Sequence, residues 1–411
     1  MNVKQNNWLI VPQKRLGSLG LIFLLVVLTV VTPLSLDMYT PAIPHMTDYF
    51  ATSDAVVNLT LTGYFLFFAI GLLLFGPISD RYGRKLVLVG GVATYALSSA
   101  LCAIAPTIEF LVVVRLFQAL GAGASGAVST AVVKDAFSEK RRELVLSVVS
   151  VMFVVGPVLA PVLGALILQV ADWRMTFWVL AFVGLICAVL CLLFEETLPR
   201  KERFGGSIWG SVKQLGQVSK NKGFSSFLLI VGLFNLPYMA YIAVASYVYI
   251  TFFGLTELEY SYFFAIAALL TASGPFIWLF ASRFMTAQRF TTILLVVGLL
   301  AGVAMLAVGQ LSPLFFLVTF LVFAIAESCV RPYSTNILLS QKGNDAGAAS
   351  SLINFTHTAI GCVGMVFAVL PWTNYVIGIG TIIVGTMILG LVAWVLFLKS
   401  RIPLPGIKDA S

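Results

Sequence analysis

Long apolar runs separated by short polar segments form the pattern of this chain. Runs of about twenty apolar residues, the length an α-helix needs to cross a bilayer, recur along the whole sequence. Only helices and closed barrels satisfy their backbone groups in lipid, and runs of this length favour helices. We predict twelve helical spans, at 17–43, 55–76, 86–105, 108–131, 143–168, 174–195, 224–251, 260–281, 289–310, 314–340, 346–370 and 375–398.

One long polar stretch, from Glu195 to Lys222, divides the spans into two sets of six. It carries six basic residues and a Gly205-Gly206 pair. We therefore predict a six-helix bundle over 1–195, a cytoplasmic linker over 196–223 and a second six-helix bundle over 224–411. The predicted fold class is an all-α integral membrane protein with twelve transmembrane helices, an arrangement typical of transporters. The tail after Lys399 is short, and we expect it to be disordered.

The composition supports a membrane protein and orients it. Hydrophobic residues make up 60% of the chain and charged residues only 10%, whereas soluble proteins are about 25% charged. Nearly all of the 25 Lys and Arg residues lie in alternate segments on one side of the predicted topology. By the positive-inside rule that side, with both termini, is cytoplasmic. This distribution predicts a lipid bilayer as partner and no nucleic acid. The five cysteines show neither metal nor disulfide spacing.

A short charged segment interrupts the first bundle between two apolar runs. We call it the charged turn; its key residues are Gly76, Asp80, Arg81, Gly83 and Arg84. Glycine permits tight backbone geometry, so we predict a compact turn between the second and third spans. A cytoplasmic loop explains its cations. It does not explain the aspartate.

Two opposite charges lie inside the first bundle at matching depth. Asp37 precedes the outer end of span 1, taken at Ile43, by six residues, and Arg115 follows the outer start of span 4, taken at Glu109, by six. At 1.5 Å per residue, both lie about 9 Å below the same boundary. Charges at this depth are energetically costly unless they are paired or face a water-filled cavity. The two residues can therefore form either a static ion pair that holds the bundle or a proton-coupling site.

The second bundle has its own set of buried polar groups. Glu327 and Arg331 are four residues apart on span 10 and share a face, and His357 lies at a similar depth on span 11. A self-neutralising pair and a hydrogen-bonded core histidine would explain them structurally. The alternative is substrate binding, and the candidate residues are Glu327, Arg331, His357, Tyr238, Tyr241, Asn235 and Asn354.

Span 5 carries a ridge of small residues. Gly156, Ala160 and Gly164 repeat every four residues, which permits close helix approach. Pro157 and Pro161 remove backbone donors and make this helix bendable. Tight packing alone would explain the ridge.

These motifs together resemble the major facilitator superfamily. The spacing Gly-x-x-x-Asp-Arg-x-Gly-Arg-Lys in the charged turn resembles the family signature between spans 2 and 3. The motif Arg115-x-x-Gln118 resembles the span 4 signature of its proton-coupled drug exporters. The segment from Gly156-Pro157 through Gly164 resembles the family's antiporter signature on span 5. Asp37-Met38-Tyr39-x-Pro41 resembles the span 1 signature of its bicyclomycin/chloramphenicol-resistance branch. Ala119 and Ala160 replace glycines that are usual in the family.

The resemblance implies a proton-coupled exporter of small amphiphilic drugs that works by alternating access. It implies that Asp37 and Arg115 couple to protons, that the charged turn is a conformational latch, and that Gly156, Pro157, Pro161 and Gly164 form the antiporter helix. In the predicted topology Asp80 lies at the cytoplasmic face, where span 11 also begins, near Asp345 and Ala346. We expect no cofactor and no metal, a bacterial inner-membrane location, and a monomer whose partners are a small-molecule substrate and protons.

Other functions remain open at the level of sequence. A specific exporter or importer of a zwitterionic or anionic metabolite would have the same fold. A membrane enzyme is disfavoured because the two histidines, His45 and His357, accompany no metal-ligand cluster or nucleophile pattern. A channel is disfavoured because no filter-like repeat is present. No phosphate-binding loop indicates ATP as the energy source.

Overall fold

Twelve helical spans are present in the computed structural model, which describes residues 9–203, 215–341 and 346–407. Each is long and apolar enough to cross a membrane, which confirms the predicted number and the all-α class. We number them in chain order as α1 (Gly17–Tyr49), α2 (Asp54–Tyr82), α3 (Arg84–Ala103), α4 (Ile108–Ala136), α5 (Arg141–Leu168), α6 (Trp173–Leu193), α7 (Lys222–Phe252), α8 (Glu257–Ala281), α9 (Ala287–Val308), α10 (Pro313–Leu339), α11 (Gly347–Ala368) and α12 (Tyr375–Lys399).

Three spans are built from shorter helical pieces. Span α1 contains Gly17–Asp37, a 3-10 turn at Thr40–Ala42 and Ile43–Tyr49. Span α7 contains Lys222–Gly232, Asn235–Ser246 and a π-helical turn at Tyr247–Phe252, and α8 contains Glu257–Thr271 and Gly274–Ala281. Prolines lie in the first turns of several of these pieces, where a missing N–H is tolerated: Pro41, Pro44, Pro237 and Pro275.

The charged turn is mostly helical, contrary to the prediction of a loop. Helix α2 continues through Asp80 and Arg81 to Tyr82, and α3 begins at Arg84. Only Gly83 leaves the helix, with φ of 105°, a conformation that favours glycine. A side chain there would also lie 2.4 Å from the Glu196 carboxylate. The physical turn is therefore one residue long.

Contacts group the chain into two compact units. The first unit contains 1–52 and 59–208, and the second contains 53–58 and 209–411. The predicted linker at 196–223 includes residues 204–214, which lie outside the described part of the chain. Its exact limits therefore stay a prediction.

Segments near both ends of the described chain are packed against other parts of the protein. Gln13 donates to the Glu195 carbonyl at 3.0 Å and accepts from the Glu195 N–H at 2.8 Å. Near the other end, Leu404 is fully buried, and Gln341 donates to the Pro405 carbonyl at 3.3 Å. The expectation of a disordered tail after Lys399 is wrong through residue 407, because the apolar side chains of Leu404 and Ile407 are buried against the protein.

Close backbone contacts join α1 to α5 within the first unit. A methyl group at Gly156 would lie 2.4 Å from the Pro33 ring, and one at Gly164 would lie 1.7 Å from the Met38 carbonyl oxygen. Ala160, between them, is fully buried. The predicted ridge of small residues is thus a helix–helix contact surface, and α5 remains one helix through Pro157 and Pro161.

The second unit contains a similar contact between α7 and α11, which the sequence motifs did not indicate. A methyl group at Gly364 would lie 1.9 Å from the Leu236 carbonyl oxygen, and one at Gly361 would lie 2.6 Å from the Asn235 amide nitrogen. Each unit therefore depends on at least one pair of helices whose backbones nearly touch.

We expect Gly164→Ala and Gly364→Ala to destabilise the protein, because the added methyl group must push the facing carbonyl away. Overpacking of this kind costs about 1–3 kcal/mol. Thermal unfolding in detergent measures the effect. Gly385→Ala is the matched control, since nothing lies within 4 Å of a methyl group there. Equal melting temperatures for all three variants would contradict the close contacts.

Candidate functional site

Arg115 is a fully buried cation in the first unit. Its Nη1 donates to the Ser35 carbonyl at 2.9 Å and to Gln118 Oε1 at 2.7 Å, and its Nε donates to the Thr60 carbonyl at 3.4 Å. The guanidinium therefore ties α4 to α1 and α2 through neutral oxygens. Its Nη2 is buried without a hydrogen-bond partner.

Aromatic rings surround the same guanidinium. Its central carbon lies 4.3 Å from the ring centre of Tyr64, 4.6 Å from that of Tyr39 and 5.7 Å from that of Phe177. A desolvated cation–π contact is worth about 2 kcal/mol or more. The rings thus offset part of the cost of burying the charge. We call Arg115, its oxygen acceptors and these rings the Arg115 site.

A shell of hydrogen bonds holds the Arg115 site in place. Gln118 donates to Ser99 at 2.7 Å, which orients the amide oxygen toward Arg115. The Ser35 and Tyr95 hydroxyls are 2.7 Å apart, and so are those of Tyr39 and Thr60. The sequence motif predicted Gln118 but not these hydroxyl partners, because they come from three other helices, α1, α2 and α3.

Asp37 does not pair with Arg115. The Asp37 side chain is buried, with 6% of its surface exposed, and within the described part of the chain no hydrogen bond or ion pair reaches its carboxylate. The predicted ion pair is absent because Ser35, whose carbonyl Arg115 contacts, is two residues earlier. Two residues turn an α-helix by about 200°, so Asp37 lies on the other side of α1. That side also carries Pro33, one turn earlier, which meets Gly156 of α5.

The charged turn forms a compact ionic cluster with the end of α4. Arg84 is buried and lies 2.6 Å from Asp80 and 2.8 Å from Asp135. It also donates to the Ser79 hydroxyl at 2.6 Å. Asp135, which the sequence analysis did not predict, lies within the distance of a charge-assisted hydrogen bond to Arg84. Arg81 instead lies 5.5 Å from the ring centre of Tyr82, and Gly76 has open space beside it.

Glu196 caps the start of α3 from a distant part of the chain. One carboxylate oxygen accepts from the Arg84 N–H at 2.9 Å, and the other accepts from the Lys85 N–H at 3.3 Å and lies 3.4 Å from Arg203. Carboxylates are favourable at helix N-termini because they satisfy free N–H groups and the helix dipole. Glu196 is therefore the residue that closes the charged turn. The predicted contact of Asp80 with the start of α11 involves Asp345, which lies outside the described residues.

Glu327 and Arg331 of the second unit are not joined by an ion pair, although both lie on α10. Glu327 is 7% exposed, and Arg331 is exposed. Among the described residues, no hydrogen bond or ion pair involves either charged group. The self-neutralising pair that the four-residue spacing allowed is therefore absent.

His357 and Asn235 bring α11 and α7 together near this pair. The Asn235 amide donates to the His357 carbonyl at 2.6 Å, and both residues are buried. His357 Nδ1 is buried without a hydrogen-bond partner, so the expected role of a satisfied core histidine does not hold for this nitrogen. Asn354, one turn before Thr358 on α11, is exposed.

Aromatic rings line the same region of α7 and α10. Tyr241 stacks on Phe320 with ring centres 3.6 Å apart, and Tyr238 stacks on Phe320 at 6.2 Å. Phe234, next to Asn235, stacks on Phe323 at 6.3 Å. We call Glu327, Arg331, His357, Asn235 and these rings the second-unit site. Within the described residues, no group of three His, Cys, Asp or Glu side chains is arranged to hold a metal ion.

The twelve-helix fold agrees with what comparison with known proteins finds. The Major Facilitator Superfamily pattern matches residues 25–365, so this chain belongs to that family of membrane transporters. The uncharacterized MFS-type transporter YdgK of Bacillus subtilis is 30% identical over 389 residues, which cover 93% of this chain and 96% of the relative. The multidrug resistance protein MdtL of Shewanella oneidensis is 28% identical over 335 residues, 80% and 83% of the two chains.

Solved structures share the architecture at low sequence identity. The peptide transporter POT in complex with sulfate superposes with a TM-score of 0.74 at 15% identity, covering 94% of this chain and 96% of that chain. A bacterial homolog of the human lysosomal transporter Spinster, in an inward-facing and occupied conformation, gives 0.72 at 15% identity, with 92% and 95% covered. At this identity the likeness concerns the fold alone.

We expect Arg115→Lys to lose both stability and transport, although the charge is kept. A lysine ammonium cannot reach three oxygens on separate helices or stack as a flat guanidinium does. The expected loss of unfolding free energy is about 2–4 kcal/mol. Thermal unfolding and vesicle transport measure the two effects, with exposed Arg401→Lys as the matched control. A fully active, equally stable Arg115→Lys protein would show that charge alone suffices.

Proposed function

We propose that this protein is a proton-coupled secondary transporter that exports small amphiphilic compounds across the bacterial inner membrane. The proposal includes membership of the bicyclomycin/chloramphenicol-resistance branch, a monomer, and cytoplasmic termini. The observation that carries it is the pair of separated charges in the first unit. Arg115 is held by neutral groups, and among the described residues no hydrogen bond or ion pair reaches the Asp37 carboxylate. Multidrug resistance among the relatives supports the substrate class.

The carboxylate of Asp37 is where proton binding changes the energy of the first unit most directly. An unpaired charge is expensive at membrane depth, whereas a neutral carboxylic acid is not. Asp37 lies between Pro33 and Met38, the two α1 residues that Gly156 and Gly164 of α5 approach. Protonation there therefore alters the α1–α5 contact surface, which the motif resemblance assigns to the antiport cycle.

Arg115 stays charged through such a cycle, since arginine does not release its proton in proteins. Its positive field acts on α1 through the Ser35 carbonyl, two residues from Asp37. In this scheme Asp37 carries the proton, and Arg115 is a positioning residue that keeps α1, α2 and α4 in register.

We expect Asp37→Asn to abolish proton-driven export while leaving a folded protein that still binds ligand. Asparagine keeps the shape and neutrality of the protonated acid but cannot exchange a proton. Uptake driven by a pH gradient into inverted vesicles measures the loss, and ligand-induced thermal stabilisation measures binding. Asp48→Asn, on the same helix but exposed, is the control. Unchanged proton-driven uptake by Asp37→Asn would remove Asp37 from the mechanism.

We also expect Asp80→Asn to slow turnover without emptying the binding site. The substitution removes one of two carboxylates on Arg84, whose other partner, Asp135, remains. The fold of the cluster should therefore survive while the balance between inward-open and outward-open states shifts toward inward-open. Labelling of single cysteines placed at the two faces of the membrane measures this balance. Identical labelling in the variant and the parent would refute the latch.

A further inference from the structure

Opposite charges one helical turn apart usually neutralise each other. A glutamate four residues before a basic residue is the favoured order for such a pair on a helix. Glu327 and Arg331 have this order, yet no ion pair joins them, and Glu327 is buried. The buried Glu327 carboxylate therefore has no ionic partner among the described residues, which is costly within a span unless a ligand meets it, and the exposed Arg331 guanidinium is open to the same ligand.

An aromatic layer lies one turn before Glu327 on the same face of α10. Phe323 precedes Glu327 by four residues, and Phe320 by seven, so all three are on one side of the helix. Phe320 and Phe323 are buried beneath rings of α7, whereas Tyr238, which stacks on Phe320, is only half-buried. Tyr238 therefore presents accessible aromatic surface at this level.

A third polar group reaches the same level from α11. Phe234 stacks on Phe323, and the next residue, Asn235, binds the His357 carbonyl. The three helices α7, α10 and α11 therefore converge here. His357 Nδ1 is buried and has no hydrogen-bond partner, so the layer contains an unused polar atom that can donate to or accept from a ligand.

Along α10 the order is aromatic layer, carboxylate, guanidinium. Positions 323, 327 and 331 are separated by about 6 Å each at 1.5 Å per residue. Resting on the transport function proposed above, we propose that this face is a substrate subsite for an aromatic zwitterion. The substrate's ring lies against Tyr238, its ammonium group on Glu327 and its carboxylate on Arg331.

A zwitterion fits better than a ligand with one charge. A simple organic cation would pair with Glu327 and leave Arg331 without a partner, and a simple anion would do the reverse. The guanidinium of Arg331 offers a planar fork that matches a carboxylate with two hydrogen bonds. Binding one molecule with both charges satisfies both side chains at once.

Three probes on one ring system test the proposal on the purified wild-type protein. They are naphthylalanine, a zwitterion; naphthylethylamine, a cation; and naphthylpropanoate, an anion. We expect naphthylalanine to bind at least tenfold more tightly than either of the others, as measured by thermal stabilisation and calorimetry in detergent. Equal or weaker binding of naphthylalanine would overturn the proposal without any variant being needed.

Charge-specific variants test which side chain of the protein binds which charged group of the ligand. Glu327→Gln should weaken the binding of the zwitterion and of the amine at least tenfold and leave the binding of the anion unchanged. Arg331→Gln should weaken the binding of the zwitterion and of the anion. The double variant leaves no unpaired charge and should bind all three probes alike. Glu202→Gln, exposed and outside the spans, is the control. Wild-type preferences in the double variant would reduce the two residues to a packing role.

Reversing the two charges gives a further test that keeps the net charge. The double variant Glu327→Arg/Arg331→Glu should weaken the binding of naphthylalanine at least tenfold. With the ring on Tyr238, the ligand's ammonium group would then face an arginine and its carboxylate a glutamate. Unchanged affinity would contradict the assigned order. Binding in detergent needs no proton gradient. Loss of gradient-driven transport in Asp37→Asn and loss of probe preference here are therefore separate results, and either can fail alone.

Discussion

The cost of placing charge inside a membrane is the constraint on which this structure depends. Arg115 meets it without a carboxylate, by donating to two backbone carbonyls and one amide oxygen and by lying among three aromatic rings. Neutral acceptors hold the cation in place whatever the state of nearby acids. Among the described residues no ion pair involves Asp37, so the Arg115 site does not depend on that carboxylate.

Close helix contact is the second physical theme, and it occurs within each of the two units. In the first unit α5 presses against the backbone of α1 at Gly156 and Gly164. In the second unit α11 presses against α7 at Gly361 and Gly364. Lipid offers helices no hydrophobic driving force to associate, so small residues and close backbone packing hold such pairs together. The buried residue Asn235 lies at the second of these surfaces, and buried Asp37 lies in sequence between Pro33 and Met38, the two α1 residues at the first.

At the charged turn, the N-terminus of α3 is capped by Glu196, a residue more than 100 positions away in the sequence. Gly83 makes the bend, Arg84 is held by Asp80 and Asp135, and Glu196 satisfies the first N–H groups of α3. The ends of α2, α3 and α4 and the segment after α6 thus share one ionic cluster. Because the cluster is partly exposed, its bonds are weaker than those in the Arg115 site and can be exchanged more readily.

Hydropathy by itself determined the number of helices, because a bilayer demands about twenty apolar residues per span whatever the neighbours are. It placed the span ends less well, since α2 runs as a helix to Tyr82 across a charged segment. Periodicity also revealed the ridge on α5, because spacing of small residues is a local property of one helix. The α7–α11 contact was not predicted because Gly361 and Gly364 are three residues apart and do not form the four-residue repeat of small residues seen on α5.

Which charges meet was decided by tertiary structure alone. Depth along two helices suggested that Asp37 faces Arg115, but the rotation of α1 about its axis turns Asp37 away, and only packing sets that rotation. Spacing suggested that Glu327 forms an ion pair with Arg331, but the structure shows no such pair between these two described residues. Glu196 and Asp135 reach Arg84 from distant segments. Sequence spacing measures distance along one helix, whereas a site forms between helices, and that is why the candidate residues were predictable and their partners were not.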